Sequence, residues 1–352
     1  MHILVVCTAR GVPLYGPSGA SAHLRGLIGA MVRAGHRVTA IVADLGTPSA
    51  HAPLPVDVRS LPVPEWRRRR RARERQEAAH AGALMALAPS DVDLLWHRHA
   101  LHDGAVSDWS RRHRVPRWLE LNAPLTLERD LLDPLGARAR ARRAEVDSVG
   151  SADRVFAVSH WLLPWARALG AERVHWLPNG TALPPHDPIR RRRARAALGL
   201  EGLVLGHVGS CRPWHRLERM NRLLDALPHA TGLLVGDGPA CPQHPRLRRL
   251  GFCPDPVEVA DAVAAMDVGL VLGGLPWVHP LKHVDYRSQG TPVLSVPVGD
   301  APHLAETVGG TVRPWGPRWP DEVSSLAQAP RRPQHRSWDD VLDDALRAGL
   351  SG

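Results

Sequence analysis

Short apolar runs alternate with longer stretches of mixed polarity along most of the chain. The run His2–Cys7 predicts a strand, Ser21–Ala34 a helix and Arg37–Ala43 a second strand. After a Pro-rich stretch the pattern resumes with apolar runs at Asp93–Trp96, Arg117–Leu121, Val155–Val158 and Val174–Trp176. Alternation of this kind predicts a parallel sheet with helices on both faces. Around Asn179–Ile189 the text turns to PNGTALPPHDPI, which is turn and linker chemistry. A second alternation then begins: strands at Leu203–Val208, Gly232–Val235, Val268–Leu272 and Pro292–Val296, with helices near Leu217–Leu227, Pro256–Met266 and Pro280–Gln289. Shorter elements run to about Ala327, and a last helix, Trp338–Ala348, follows a basic, Pro-containing connection at Pro330–Arg336.

The reading is α/β, with two doubly wound domains. Residues 1–182 form the first, 183–200 a linker and the opening helix of the second, and 201–330 the second. Residues 331–352 hold a terminal helix expected to pack back on the first domain. A length of 352 residues suits two domains with real cores. Hydrophobic residues at 44% and charged residues at 23% exclude long disorder and fibrous classes. No uninterrupted apolar stretch nears the roughly eighteen residues of a membrane span, and no basic leader precedes the first strand, so a cytoplasmic location is expected. Four cysteines, Cys7, Cys211, Cys241 and Cys253, form no CxxC pair, and reduced thiols are expected.

Charge changes the picture less than it first suggests. Forty-five basic against 35 acidic residues leave +10, which points to phosphates, nucleic acid or an anionic membrane. Yet 44 of the basic residues are arginine and only Lys282 is lysine, a usage that fits a GC-rich coding bias. The run Arg67–Arg75 opens a predicted helix, Trp66–Leu87; it reads as a solvated face or as a surface for an anionic membrane or acceptor. Arg190–Arg195 reads as a charged helix beside the linker. No aromatic RNA-binding motif accompanies the charge, so no nucleic-acid partner is expected.

Ligands of open α/β sheets lie beyond the carboxyl ends of the strands. The first such loop, TARGVPLYGPSGA over Thr8–Ala20, carries Gly11, Gly16 and Gly19 ahead of a helix, and reads either as a plain connection or as a ligand loop. In HPLKHVDYRSQGTPVLSV, Pro280 suits a helix start and Gly290 its end. Lys282 then sits in the first turn, beside free amides, and Asp285 falls on the same face: a phosphate site with a carboxylate for ribose hydroxyls, or an ordinary surface ion pair. The loop GSCRPWHR, Gly209–Arg216, brings Arg212, His215 and Arg216 after another strand. Gly236, Asp237 and Gly238 form a turn that could face a base or ribose, or be only a turn. Trp214 and Trp277 occupy two of these loops and are expected to face a ligand. Cys211, His215, Cys241, His244 and Cys253 match no zinc spacing, and no metal or cofactor is expected.

Together these segments resemble the family-four glycosyltransferases, retaining enzymes of the GT-B architecture in which two Rossmann-like domains face a central cleft. The resemblance rests on the glycine loop with His23, AGHRV at Ala34–Val38, LELNAPL at Leu119–Leu125, ADRVFAVS at Ala152–Ser159, LPNG at Leu177–Gly180, GSCRPWH, GDGP, PLKHVDY and QGTPVLS. It implies a nucleoside diphosphate sugar donor on the second domain. Lys282 and the loop of Gly209, Arg212, His215 and Arg216 would take the diphosphate, Asp285 the ribose, Gly236 and Gly238 the nucleoside, and Phe252 the base. Gly19 would approach the donor, while Glu120, Asn122 and His99 would line the acceptor side. Lys282, Arg212 and Asn122 are the expected catalytic set. Ser210 and His215 stand where many members carry an arginine and a lysine, Trp277 near a usual glutamate, and Asn122 at a usual histidine. Those departures keep two alternatives in view, a nucleotide-sugar 2-epimerase and a pseudo-glycosyltransferase acting on a nucleotide sugar or cyclitol analogue.

Overall fold

The computed structural model describes residues 1–47 and 53–350. The chain divides into two compact units: Met1–Gly16, Ala20–Pro178 and Trp338–Gly352 form the first, and Pro17–Gly19 with Asn179–Ser337 the second.

The first unit runs β1 (His2–Cys7), α1 (Gly19–Arg33), β2 (Arg37–Val42), β3 (Asp57–Ser60), α2 (Arg70–Met85), β4 (Leu94–Arg98), α3 (Gly104–His113), β5 (Arg117–Leu121), α4 (Leu125–Leu132), α5 (Arg138–Gly150), β6 (Arg154–Ala157), α6 (Leu162–Ala168) and β7 (Val174–Trp176). Its seven strands pair in parallel in the order β3-β2-β1-β4-β5-β6-β7. The second unit runs α7 (Arg190–Ala197), β8 (Leu203–Val208), α8 (Glu218–Ala226), β9 (Ala230–Val235), β10 (Leu247–Gly251), α9 (Pro256–Ala265), β11 (Val268–Val271), α10 (Leu281–Ser288), β12 (Val293–Ser295), α11 (Ala301–Thr307), β13 (Thr311–Val312) and α12 (Trp319–Ala327). Its six strands are parallel in the order β10-β9-β8-β11-β12-β13. Each order reverses once, at β1/β4 and at β8/β11, and a crevice opens beyond the strand ends at such a switch point.

Central strands are buried on both faces and read as unbroken apolar text; β1 and β4 are buried at every position. The sequence reading missed β3 (DVRS) and β10 (LRRLG). Both are edge strands with exposed or half-buried residues, so neither needs an apolar run.

The terminal helix, α13 (Trp338–Leu350), belongs to the first unit. The Trp338 indole occupies the space that a side chain at Gly26 would need, and the Trp118 ring does the same at Gly349. Asp339 accepts two hydrogen bonds from the Arg33 guanidinium.

One expectation is corrected. Cys211 and Cys241 are joined in a disulfide with Cα atoms 4.9 Å apart, whereas Cys7 and Cys253 are free. Thirty residues separate the pair in sequence, but the loops after β8 and β9 lie side by side and bring them together.

Candidate active site

In the second unit, three loops meet beyond the switch-point strands. Gly209 N donates to Val235 O (2.9 Å), Cys211 N to Asp237 O (2.9 Å) and Ala240 N to Cys211 O (3.0 Å). The loops after β8 and β9 therefore continue the strand pairing past the sheet, closed by the disulfide. Contact this close requires glycine. Gly236 (φ 120°) has the Gly209 carbonyl where a Cβ would stand, and Gly238 (φ 146°) has the Cys211 backbone there.

Lys282 lies in the first turn of α10, and its Nζ would be 3.9 Å from a Cβ on Gly209. Burial lowers the ammonium to about 8 against the opposing pull of Asp285. Asp285 is pushed up to about 6 by burial, against a hydrogen bond from Thr181 and the charge of Lys282. Thr181 Oγ1 donates to Asp285 Oδ1 (2.7 Å) and accepts from Leu183 N (3.0 Å). Both ionisable groups are half-buried, and no contact ion pair joins them.

His215 is held neutral, at about 3, by burial and by the Lys282 charge. Its Nδ1 lies 2.5 Å from Ser210 O, so Nδ1–H donates there and Nε2 is left as an acceptor. A neutral imidazole in that tautomer cannot donate to a phosphate; it can accept from a hydroxyl. Arg212 and Arg216 are exposed, the former 6.0 Å from the Trp214 ring centroid and the latter in a left-handed conformation (φ 54°). Phe252 is exposed just beyond β10. Trp277, expected to face a donor, is instead buried at 2% exposure. Gly19 opens α1, where a Cβ would lie 3.4 Å from Leu281.

In the first unit Glu120, expected to line an acceptor surface, is enclosed. Its carboxylate accepts from Arg98 Nη1 (2.7 Å), Trp96 Nε1 (3.1 Å) and Asn122 Nδ2 (2.5 Å), with His23 Nε2 3.0 Å away. Burial alone would raise its pKa, but His23 and Arg98 outweigh this and hold it well below the usual carboxylate range. Glu120 therefore positions its neighbours, Asn122 among them. His99 is also buried, lowered to about 4 chiefly by desolvation, with no hydrogen bond to either ring nitrogen among the described residues. The arginine run is mostly exposed, but Arg73 binds Asp133 (2.8 Å) and Arg71 binds Gly136 O (2.7 Å), so part of it is structural.

Sequence reasoning missed the roles of Arg98, Trp96 and Thr181. Charges embedded in the buried strand texts LLWHR and RWLEL were the available signal for the first two, since Arg98 and Glu120 pair directly across β4 and β5. Thr181 sits in text read only as linker.

Residues 17–183 match the family model described as Glycosyltransferase Family 4. No curated protein sequence matches the chain significantly. Among solved structures, HepE of Anabaena in complex with UDP-glucose is similar at 18% identity and a TM-score of 0.68, covering 99% of this chain and 98% of that one. Sucrose-phosphate synthase of Thermosynechococcus elongatus is similar at 19% identity and 0.66, covering 94% and 88%. A putative UDP-N-acetylglucosamine 2-epimerase of Listeria monocytogenes shares the fold at 12% identity and 0.57, covering 99% and 96%.

Proposed function

We infer the activity from the premise that the chain is a glycosyltransferase of the GT-B fold, carrying a family-four domain over residues 17–183. We propose that it moves a sugar from a nucleoside diphosphate sugar to an acceptor hydroxyl with retention at the anomeric carbon. The observation that carries this is Lys282 beside Gly209, with Asp285 one turn on, at the β8/β11 switch point.

Charge grows on the departing diphosphate while the sugar becomes cation-like, and fixed positive groups aimed at that phosphate are the main lever. One such donor is worth about 3–4 kcal/mol of barrier. Lys282, Arg212 and the first amides of α10 supply it. Asp285, held by Thr181, takes the ribose hydroxyls; Gly236 and Gly238 let backbone face the nucleoside, and Phe252 stacks near the base. His215, as an acceptor, suits a sugar hydroxyl better than the diphosphate. Gly19 is assigned to the donor, and Asn122, fixed by Glu120, to the acceptor. Attack comes from the face the leaving group departs, the leaving phosphate helping to deprotonate the acceptor.

No divalent metal is required on this reading, and the location is cytoplasmic. No helix among the described residues is long and apolar enough to cross a membrane; any membrane contact is peripheral, through Arg67–Arg75. Likeness to the putative epimerase extends to the fold alone and does not favour epimerisation. A thermal-shift screen against UDP, GDP, ADP and dTDP tests the reading, since a ligand at a hundred times its Kd stabilises by about 2.7 kcal/mol. HepE was solved with UDP and UDP-glucose, which makes the uridine nucleotide the first to try. One base should stand out; no shift with any would reject the donor site.

A further inference from the structure

The Cys211–Cys241 bond takes no part in the chemistry above, yet it lies among the groups assigned to the donor. Strands β10, β9 and β8 are neighbours in the sheet, and the segment leaving the carboxyl end of each carries one cysteine: Cys253, Cys241 and Cys211. Cys211 stands between Gly209 and Arg212. Cys241 ends the turn that Gly236 and Gly238 begin, its N–H donating to Gly238 O (3.4 Å). In a reducing compartment, the location proposed above, a disulfide is more often a redox sensor than a structural staple.

The path from the bond to the donor groups has no slack. Cys211 N donates to Asp237 O and Ala240 N to Cys211 O, and a Cβ on Gly238 would lie 2.6 Å from the Cys211 carbonyl oxygen. Gly236 packs on the Gly209 carbonyl, and its N–H donates to the carbonyl of Gly251 (2.7 Å), the residue before Phe252. Gly209 in turn faces Lys282. A movement of Cys211 against Cys241 is therefore passed to the backbone assigned to the diphosphate, the nucleoside and the base, because close-packed groups transmit a displacement.

Access is one-sided. Cys211 is fully buried and Cys241 half-buried, so a thiolate reaches the bond at the Cys241 sulfur. The other two cysteines are poor sensors: burial pushes the Cys7 thiol up, and burial with the Glu258 charge does the same to Cys253, which leaves little of the reactive thiolate.

We propose that Cys211–Cys241 is a thiol–disulfide exchange site that gates the donor site. With the bond closed, the loops after β8 and β9 are held in the ligand-binding arrangement; reduction by a dithiol frees them and weakens binding. One thiolate of the dithiol attacks the Cys241 sulfur and Cys211 leaves as a thiolate that takes a proton. The second thiolate of the dithiol then displaces Cys241, which takes another. The dithiol is oxidised to its disulfide by two electrons, and the protein gains two thiols. That the ligand is a nucleotide rests on the transferase reading above; the clamp on the two loops does not.

The test compares the full chain oxidised and reduced with dithiothreitol. By titration calorimetry UDP should bind the reduced protein at least about tenfold more weakly, within the ordinary range for coupled sites. Reciprocity then requires saturating UDP to make the bond harder to reduce by the same factor, a shift of about 30 mV in the midpoint against a dithiothreitol redox buffer. Without nucleotide, reduction should quicken hydrogen exchange at Gly209–Arg216 and Gly236–Cys241 and leave the strands unchanged. Cys253→Ser should keep all three effects. Cys211→Ser/Cys241→Ser should bind UDP as the reduced protein does, with or without dithiothreitol; should it fail to fold, the reduced wild-type protein still gives every readout. Measurable but equal UDP affinity in the two states, or a midpoint that UDP leaves unmoved, would overturn the proposal. So would quickened exchange spread through β8, β9 and β11, which marks a bond that holds the domain and not the site. UDP binding in neither state, with exchange quickened at the two loops alone, counts against the donor reading and leaves the clamp standing.

Discussion

Replacing Glu120 by glutamine distinguishes a residue that touches an acceptor from one that holds the first unit together. Glu120 is 2% exposed, and its two oxygens face Arg98, His23, Trp96 and Asn122. Glutamine keeps the shape but offers one acceptor oxygen, presents an NH₂ to other donors, and leaves the buried Arg98 guanidinium without its counter-charge. Breaking a buried pair from one side costs about 3–5 kcal/mol. For a unit of this size that is a fall in melting temperature of about 6–20 °C. The sign with pH follows from the pKa shift. The folded-state value lies below the ordinary one, so Glu120 contributes stability that is complete above the unfolded value, 4.5, and lost as pH falls toward the folded one. Urea unfolding of wild type and Glu120→Gln at several pH values reads both effects, and the difference between them should shrink in acid. Arg98→Met added to Glu120→Gln should recover part of the loss, as the uncompensated charge is gone. A Glu120→Gln protein within about 0.5 kcal/mol of wild type but catalytically impaired would refute this and return Glu120 to the acceptor surface.

Affinity for a nucleotide sugar, whose diphosphate does not itself titrate near neutrality, should be flat between about pH 6 and 8. It should weaken above 8 as Lys282 discharges and below 6 as Asp285 takes a proton; a titration calorimetry series that is level from pH 5 to 9 would contradict the assignment. Gly236→Ala places a Cβ on the Gly209 carbonyl at a φ of 120° and should cost at least about 1–3 kcal/mol together with nucleotide affinity. Gly11→Ala, with nothing within 4 Å, is the control and should leave stability and nucleotide affinity unchanged in the same thermal and binding assays. Reducing the Cys211–Cys241 bond should remove about 3–4 kcal/mol of stability, and a Cys211→Ser/Cys241→Ser protein should melt identically with and without dithiothreitol.

The doubly wound architecture was legible because buried parallel strands such as ILVV at Ile3–Val6 and the Leu203–Val208 run advertise themselves as apolar text between helices. Edge strands β3 and β10 were not, since one open side removes the need for that text. The helix that carries Lys282 and Asp285 was legible from its grammar alone: a Pro before it, a Gly after it and a spacing of three between the two residues. Their separate partners were not. The Thr181 hydroxyl reaches Asp285 across 104 positions of chain, a proximity set by the return of the linker past α10. The disulfide escaped for the same reason, because pairing depends on two loops made adjacent by β8 and β9. Glu120 was legible as important and misread in kind, since its motif gave its place in the strand but not the four groups that enclose it.

The central claim is that Lys282 and Asp285 serve two parts of one donor, and kinetics with nucleotide titration of Lys282→Ala and Asp285→Ala test it most directly. Lys282→Ala should lower kcat by about a hundred- to a thousandfold with a milder loss of nucleotide affinity, because its charge matters most when the phosphate departs. Asp285→Ala should chiefly weaken nucleotide affinity, since ribose contacts change little between ground and transition states. Wild-type turnover in Lys282→Ala, or nucleotide affinity unchanged in Asp285→Ala, would contradict the account.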